Sequence, residues 1–291
     1  MVTGATGPLG SAVVESLLKK AQAGNIAVLV RDPAKAAGLK AKGVDVRVGD
    51  YNDYDPLVTA FRGIDKLYFV SGNDVAGRVT QHEHVVKAAR EAGVRHVIYT
   101  SIPYSADVAS SPIYSVISSH QHTERLLEGS GLTYTILQHG LYTDMIPVFA
   151  GEQLLQTKTI YLPAGDGRVG YAVRRDLAEA GANVLLDNTG KYDNRTLQLT
   201  GAETISFYDA AKNISNATGL SISYHSPSEE EFKVALTAAG VPGEYVGLFA
   251  GFATAIKKGE FDEVSGDLET LLGRKPTTAA AFLSTFYHGK N

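Results

Sequence analysis

Three glycines stand three residues apart in Thr3-Gly4-Ala5-Thr6-Gly7-Pro8-Leu9-Gly10. Between a strand and a helix, that spacing serves a pyrophosphate: one glycine allows the tight turn, one lets the backbone approach the phosphates, and one lets the helix pack close to the strand. The free N–H groups of the helix N-terminus then face the anion. The run Gly4, Ala5, Thr6, Gly7, Pro8, Leu9 and Gly10 is therefore the candidate phosphate cradle of a dinucleotide. Folds that bind such a ligand read its ribose at the end of the next strand, where an acidic residue accepts from the 2′-hydroxyl and a basic one takes a 2′-phosphate. Here that end reads Val28-Leu29-Val30-Arg31-Asp32. The guanidinium fork of Arg31 suits a 2′-phosphate and so selects NADPH over NADH, while Asp32 offers the alternative of a ribose acceptor. Asp50, in Gly49-Asp50-Tyr51, stands where adenine would lie and either accepts from its amine or caps the following helix. Ser71, Gly72 and Asn73 reach the same edge and either bracket the cofactor or form a plain turn.

These roles require a parallel sheet with all its carboxyl ends on one edge. The first half of the chain supplies the pattern, with β-branched runs at 26–30, 44–48, 67–70, 96–100 and 133–137. They alternate with helical stretches at 9–20, 34–42, 55–62, 78–92 and 120–128. Glycine follows each helical stretch, at Gly24, Gly43, Gly63, Gly93 and Gly131, as a left-handed stop before the next strand. Repeated βα units predict an α/β fold, a doubly wound parallel sheet of the Rossmann type. After about Leu141 the rhythm changes to longer helices with short strands at 159–162, 196–199 and 221–224. The expected division is a dinucleotide-binding domain over 1–141, with a returning segment near 169–173, and a smaller substrate-binding α/β domain over 142–291.

The chain has 291 residues, with 27 basic against 31 acidic side chains and no run of either sign, which argues against a nucleic-acid partner. With no cysteine, disulfides, thiolate nucleophiles and thiolate metal sites are excluded. His82 and His84, like His120 and His122, lie two apart, which splays them on a helix, so no metal site is expected. The longest apolar stretch, 245–256, falls short of the ~20 residues of a membrane span. The start Met1-Val2-Thr3 shows no leader pattern, so a cytoplasmic protein without membrane attachment is expected, with a homodimer left open.

The combination resembles the NmrA-like family of atypical short-chain dehydrogenases, and within it the quinone and triphenylmethane reductases. The matching pieces are Thr3 to Gly10, Val30-Arg31, Gly49-Asp50-Tyr51, Gln81-His82, Tyr99-Thr100, His120 with Thr123-Glu124, Leu141-Tyr142-Thr143 and Ala164-Gly165-Asp166-Gly167, and they continue to 271–278. The Tyr-x-x-x-Lys pair of ordinary short-chain dehydrogenases is absent, since the five residues from Tyr114 end in Ser118. The resemblance places His120 where relatives carry a catalytic Lys, to hold the nicotinamide ribose or donate a proton, or else as a structural histidine. It places Gln138, His139 and Gly140 at the cofactor edge, with Gln138-His139 in place of the group's usual Arg-Asn. Tyr142 is a candidate catalytic and substrate-binding wall beside the nicotinamide, and Tyr104 a substrate-binding candidate on the opposite lip; packing and loop positions are the alternatives.

What the resemblance implies is an NADPH-dependent reductase passing hydride to a flat, electron-poor small molecule such as a quinone, dye or enone. The fold serves a second reading equally well, a non-enzymatic NAD(P)-binding redox sensor that regulates a protein partner. An isomerase with tightly held cofactor is a third.

Overall fold

The computed structural model describes residues 1–104 and 107–290. Its strands are β1 (Ala27–Val30), β2 (Asp45–Val48), β3 (Lys66–Phe69), β4 (His96–Ser101), β5 (Thr133–His139), β6 (Thr159–Tyr161), β7 (Arg168–Val169), β8 (Arg195–Leu199), β9 (Ile205–Ser206) and β10 (Ser223–His225). The helices of the first half are α1 (Pro8–Leu18), α2 (Ala37–Ala41), α3 (Tyr54–Phe61), α4 (Arg78–Glu91) and α5 (Tyr114–Glu128). They are followed by α6 (Met145–Ala150), α7 (Leu154–Thr157), α8 (Arg174–Leu186), α9 (Phe207–Thr218), α10 (Glu229–Ala238), α11 (Gly243–Lys257), α12 (Asp267–Leu272) and α13 (Ala279–Tyr287).

Val2 bridges Val28 on one side and Tyr68 on the other, both in parallel. The sheet order is thus β2, β1, Val2, β3, β4, β5, β8, parallel throughout. The chain runs from Val2 outward to β1 and β2, then crosses back past Val2 to β3. That reversal opens a crevice above the carboxyl end of the Val2 strand, because the connections on its two sides lead away from each other. Helices cover both faces, so β1 and β4 are buried at every position, which is why they read as continuous apolar runs. α1 and α8 pack on one face and α3, α4 and α5 on the other. The approach of α8 requires Gly181, where a Cβ would sit 2.6 Å from the Tyr68 hydroxyl oxygen.

Gly43, Gly63, Gly93 and Gly131 adopt the left-handed conformation expected of helix stops, with φ of 85°, 71°, 78° and 78°. Gly24 does not; it lies inside a short 3₁₀ turn over Ala23–Asn25. Two further expectations are corrected. The helix expected over 120–128 begins at Tyr114, because Val116 and Ile117 extend its buried face although Ser115, Ser118 and Ser119 weaken the helical signal. The strand expected over 196–199 belongs to the main sheet rather than to the smaller domain, pairing with β5 from Thr135↔Arg195 to His139↔Leu199. The chain therefore leaves the sheet after β5, returns through α8 and β8, and leaves again. Tyr142 also pairs in parallel with Ala172, which draws the 169–173 segment back to the sheet edge.

α12 packs on α8 and β8 with the main sheet, and the remaining elements carry their own apolar cluster, built from Ile146, Phe149, Ile160, Phe207, Ile214 and Leu283 among others. There β6 pairs in parallel with β10, and β7 antiparallel with β9. Among the described residues no helix is long and apolar enough to cross a membrane.

Candidate active site

The crevice is a cleft of about 580 Å³, and the glycine turn forms its floor with Gly4, Thr6, Gly7, Pro8, Leu9 and Gly10. Gly4 turns the chain at φ 58°, and a Cβ on Gly10 would lie 2.3 Å from the Gly4 carbonyl oxygen. Only glycine lets α1 start that close to the turn. As at most helices of the chain, no side chain caps the N-terminus of α1, here at Gly7. Its first N–H groups are left facing the cleft, as an anion would need. Ala5 alone of the run does not line the cleft; at 2% exposure it packs into the core with Leu9. The turn is bolted to the neighbouring strand: the Tyr51 hydroxyl lies 2.5 Å from Thr3 Oγ1 and 2.9 Å from the Val70 carbonyl oxygen, and Val70 N–H donates to Thr3 Oγ1.

Arg31 and Asp50 line the end of the cleft on the β1 and β2 side, with Arg31 Nη1 4.0 Å from Asp50 Oδ2. At 82% side-chain exposure the guanidinium is solvated and free to turn toward a phosphate. Ser71, Gly72 and Asn73 form the wall on the β3 side, and Tyr142 and Arg174 complete it. The cradle, an arginine at the strand end and a wall across the switch point are the donor set that a dinucleotide with a 2′-phosphate requires, so the residues fit NADP(H).

Sequence reasoning missed Arg174, which stands at the start of α8 just after the returning segment. Its guanidinium carbon lies 4.3 Å from the Tyr142 ring centroid, and its Nη1 donates to Asp144 Oδ2 at 2.7 Å. Burial raises the Tyr142 phenol to about 12, against the pull of Arg174. The only hint in the sequence was Arg174-Arg175-Asp176, a charged start to a helix after an apolar strand end.

The other candidates lie off the cleft lining. Gln138 donates through Nε2 to Glu124 Oε1 at 3.1 Å, and Ser101 Oγ donates to the same oxygen at 2.5 Å. The Tyr104 hydroxyl donates to Glu124 Oε2 at 2.5 Å. Buried Glu124, quoted in the sequence only as part of a motif, thus gathers three donors at the carboxyl ends of β4 and β5. Tyr104 and Gly140 line a separate cavity of about 80 Å³ with Glu260 and Phe261. His139 is buried with neither ring nitrogen hydrogen-bonded, and burial followed by the charge of Arg174 lowers it to about 3. His120 is 6% exposed, and its Nδ1 lies 2.7 Å from the Tyr99 hydroxyl. Burial first, then Arg78, lowers its pKa well below that of a free imidazole. His82 and His84 do point apart, to the Gly72 amide and the Tyr51 carbonyl.

These pKa shifts make a stability prediction. His82 is lowered to about 3 by burial and the charge of Arg78, so with His120 and His139 it stays neutral in the fold where the unfolded chain takes up protons. Their contribution is intact above the unfolded value near 6.5 and is lost as pH falls toward 3. Three protons taken up only on unfolding give a slope approaching about 4 kcal/mol per pH unit. Denaturant unfolding between pH 7 and 4 should show it, and a curve flat across that range would contradict the neutral burial of these rings.

A glycine-turn cleft over the switch point of a parallel sheet, with a cation at the end of the next strand, defines a nicotinamide-dinucleotide-binding fold of the short-chain dehydrogenase type. The chain belongs to the NmrA-like family, which it matches over residues 1–283. It is 34% identical over 290 residues to quinone oxidoreductase 2 of Escherichia coli strain K12, covering 100% of this chain and 99% of that protein. The crystal structure of that enzyme complexed with NADPH superposes with a TM-score of 0.89 over 99% of each chain. Triphenylmethane reductase of Citrobacter sp. complexed with NADP(H) gives a TM-score of 0.90 at 37% identity over 98% of each chain. The NAD(P)H azoreductase of Xenophilus azovorans is 31% identical over 243 residues, 83% of this chain and 82% of that protein.

Proposed function

We propose that this protein is an NADPH-dependent reductase that delivers hydride to a flat, electron-poor acceptor of the quinone, triphenylmethane dye, azo dye or enone class. The observation that carries the reading is the cleft itself, which runs unbroken from Arg31 and Asp50, past the glycine turn, to Tyr142 and Arg174. The comparisons support it, since the relatives named above are reductases of quinones, triphenylmethane dyes and azo compounds. Bound nicotinamide supplies the hydride; the chain's residues bind, orient and exclude water.

In this reading the N-terminus of α1 holds the pyrophosphate and Arg31 the 2′-phosphate, which makes NADPH the preferred cofactor. In the same reading adenine lies on the β1 and β2 side and nicotinamide on the β3 to β5 side, beside Tyr142 and Arg174, an order that the sheet topology supports. The Tyr142 ring, pressed by the Arg174 guanidinium, is a flat wall against which an aromatic acceptor stacks. Gln138, His139, Gly140 and Tyr104 belong to the shell behind the acceptor, where Glu124 orients Gln138 and Tyr104. His120, buried behind the cleft against the Tyr99 hydroxyl, acts as a structural histidine rather than a proton donor, because its lowered pKa leaves it neutral near pH 7. An acceptor oxygen that gains charge takes its proton from water, so the missing Tyr-Lys pair is no obstacle. In this reading the second unit, from 142 onward apart from α8, β8 and α12, which pack with the main sheet, closes the acceptor side.

The test follows absorbance of reduced nicotinamide with NADPH and NADH in parallel against quinones, triphenylmethane dyes, azo dyes and enones. Turnover preferring NADPH is expected, with no histidine-like break in kcat between pH 6 and 8. Tight NADP(H) binding without turnover on any acceptor would replace this reading with the redox sensor.

A further inference from the structure

The β3-side wall of the cleft is gripped from inside the protein at Gly72, beside Ser71, whose N–H donates to Thr100 Oγ1 at 3.0 Å. The Gly72 N–H donates to His82 Nε2 at 3.0 Å, and its carbonyl accepts from Arg78 Nε at 2.8 Å. Because Nε2 accepts, the neutral ring must carry its proton on Nδ1, which then donates to Thr123 Oγ1 at 2.8 Å. The Thr123 hydroxyl in turn donates to the Ser119 carbonyl at 2.9 Å. From the other arm, Arg78 Nη1 donates to Ser119 Oγ at 3.0 Å. Both arms therefore close on Ser119 of α5, one residue from His120, and every donor in the ring has a fixed direction.

The ring lies in a dry interior. His82 is fully buried, edge-on to Phe69 at 4.7 Å and Tyr99 at 5.6 Å between ring centroids. Arg78 is 6% exposed and, among the described residues, has no carboxylate within 4.0 Å. Of the carboxylates, only the more distant charge of Asp74 acts on it, and a buried cation without a close ion pair is weak support for stability, so its two hydrogen bonds call for another account.

We propose that His82 and Arg78 are cofactor-positioning residues: a two-point clamp that holds Ser71-Gly72-Asn73 in its binding geometry before the dinucleotide arrives and registers that wall against α5. The proposal rests on the reading of the cleft as an NADP(H) site. Preorganisation of this kind raises affinity by removing the cost of ordering the loop on binding.

The experiment measures NADPH affinity by calorimetry and exchange of the Gly72 amide proton by NMR, in wild type and in His82→Leu, His82→Gln and Arg78→Lys. Wild type without cofactor should protect the Gly72 amide. His82→Leu should expose it and weaken NADPH binding about tenfold, the effect of leaving one buried donor unpaired. His82→Gln, whose Oε1 reaches the Nε2 position, should restore both. Nitrogen-15 spectra of wild type should show His82 protonated at Nδ1 and bare at Nε2, which needs no variant to fold. An Nε2-protonated ring, or His82→Leu binding NADPH within twofold of wild type, overturns the clamp alone. Wild type that fails to bind NADPH overturns the cofactor reading beneath it.

Discussion

Replacing Gly10 by valine should abolish useful cofactor affinity, raising the Kd for NADPH on the order of 100-fold, as expected when binding groups are displaced by about an ångström. The reason is steric and local. A Cβ at Gly10 would lie 2.3 Å from the Gly4 carbonyl oxygen and 2.6 Å from its carbon, both backbone atoms that no rotamer change can move. The turn must open, and the first N–H groups of α1 then no longer point into the cleft, where the proposed reading places the pyrophosphate. Overpacking also costs stability, about 1–3 kcal/mol, so melting temperature should be recorded with the calorimetric titration. Gly24→Ala is the control, since a Cβ there meets nothing within 4 Å. If Gly10→Val bound NADPH like wild type, the glycine turn would not be the phosphate cradle.

Arg31→Ala should raise the KM for NADPH by about 10- to 100-fold, the range for losing a charge-assisted hydrogen bond to phosphate. The KM for NADH should stay within a few fold, because NADH has no 2′-phosphate. The side chain is 82% exposed and, among the described residues, its one ionic neighbour is Asp50 at 4.0 Å, so its removal should hardly change folding stability. Asp50 sharpens the test: a phosphate placed on Arg31 also lies near this carboxylate, so Asp50→Asn should move preference further toward NADPH. Steady-state kinetics with both cofactors decides the matter, and equal losses for NADPH and NADH would show that Arg31 does not meet the 2′-phosphate.

Much of this site was readable from contiguous residues. Gly4 to Gly10, Arg31, Asp50 and Ser71 to Asn73 each occupy a strand end, and the alternation of apolar runs with glycine-stopped helices says which ends share an edge. Where periodicity was ambiguous the reading drifted: the serines of 115–119 hid the first turns of α5, and β8 looked like any short strand until its pairing with β5 was seen. Tyr142 was placed beside the cleft by its position after β5, but the arginine that presses on its ring comes from 32 positions further along and carried no motif.

The cradle and the strand-end arginine were determined by the sequence itself, because tight turns, helix starts and strand ends obey rules that act within a few residues. Tertiary structure alone decided that Arg174 joins Tyr142, that Glu124 collects Ser101, Tyr104 and Gln138, and that His82 and Arg78 meet at Gly72. It also decided the charge state of His82, His120 and His139, which as isolated residues would titrate near neutrality. The physical reason is the parallel sheet: each crossover returns the chain to the same edge after tens of residues, so neighbours in the site are strangers in sequence, and burial between layers sets protonation that no local pattern encodes.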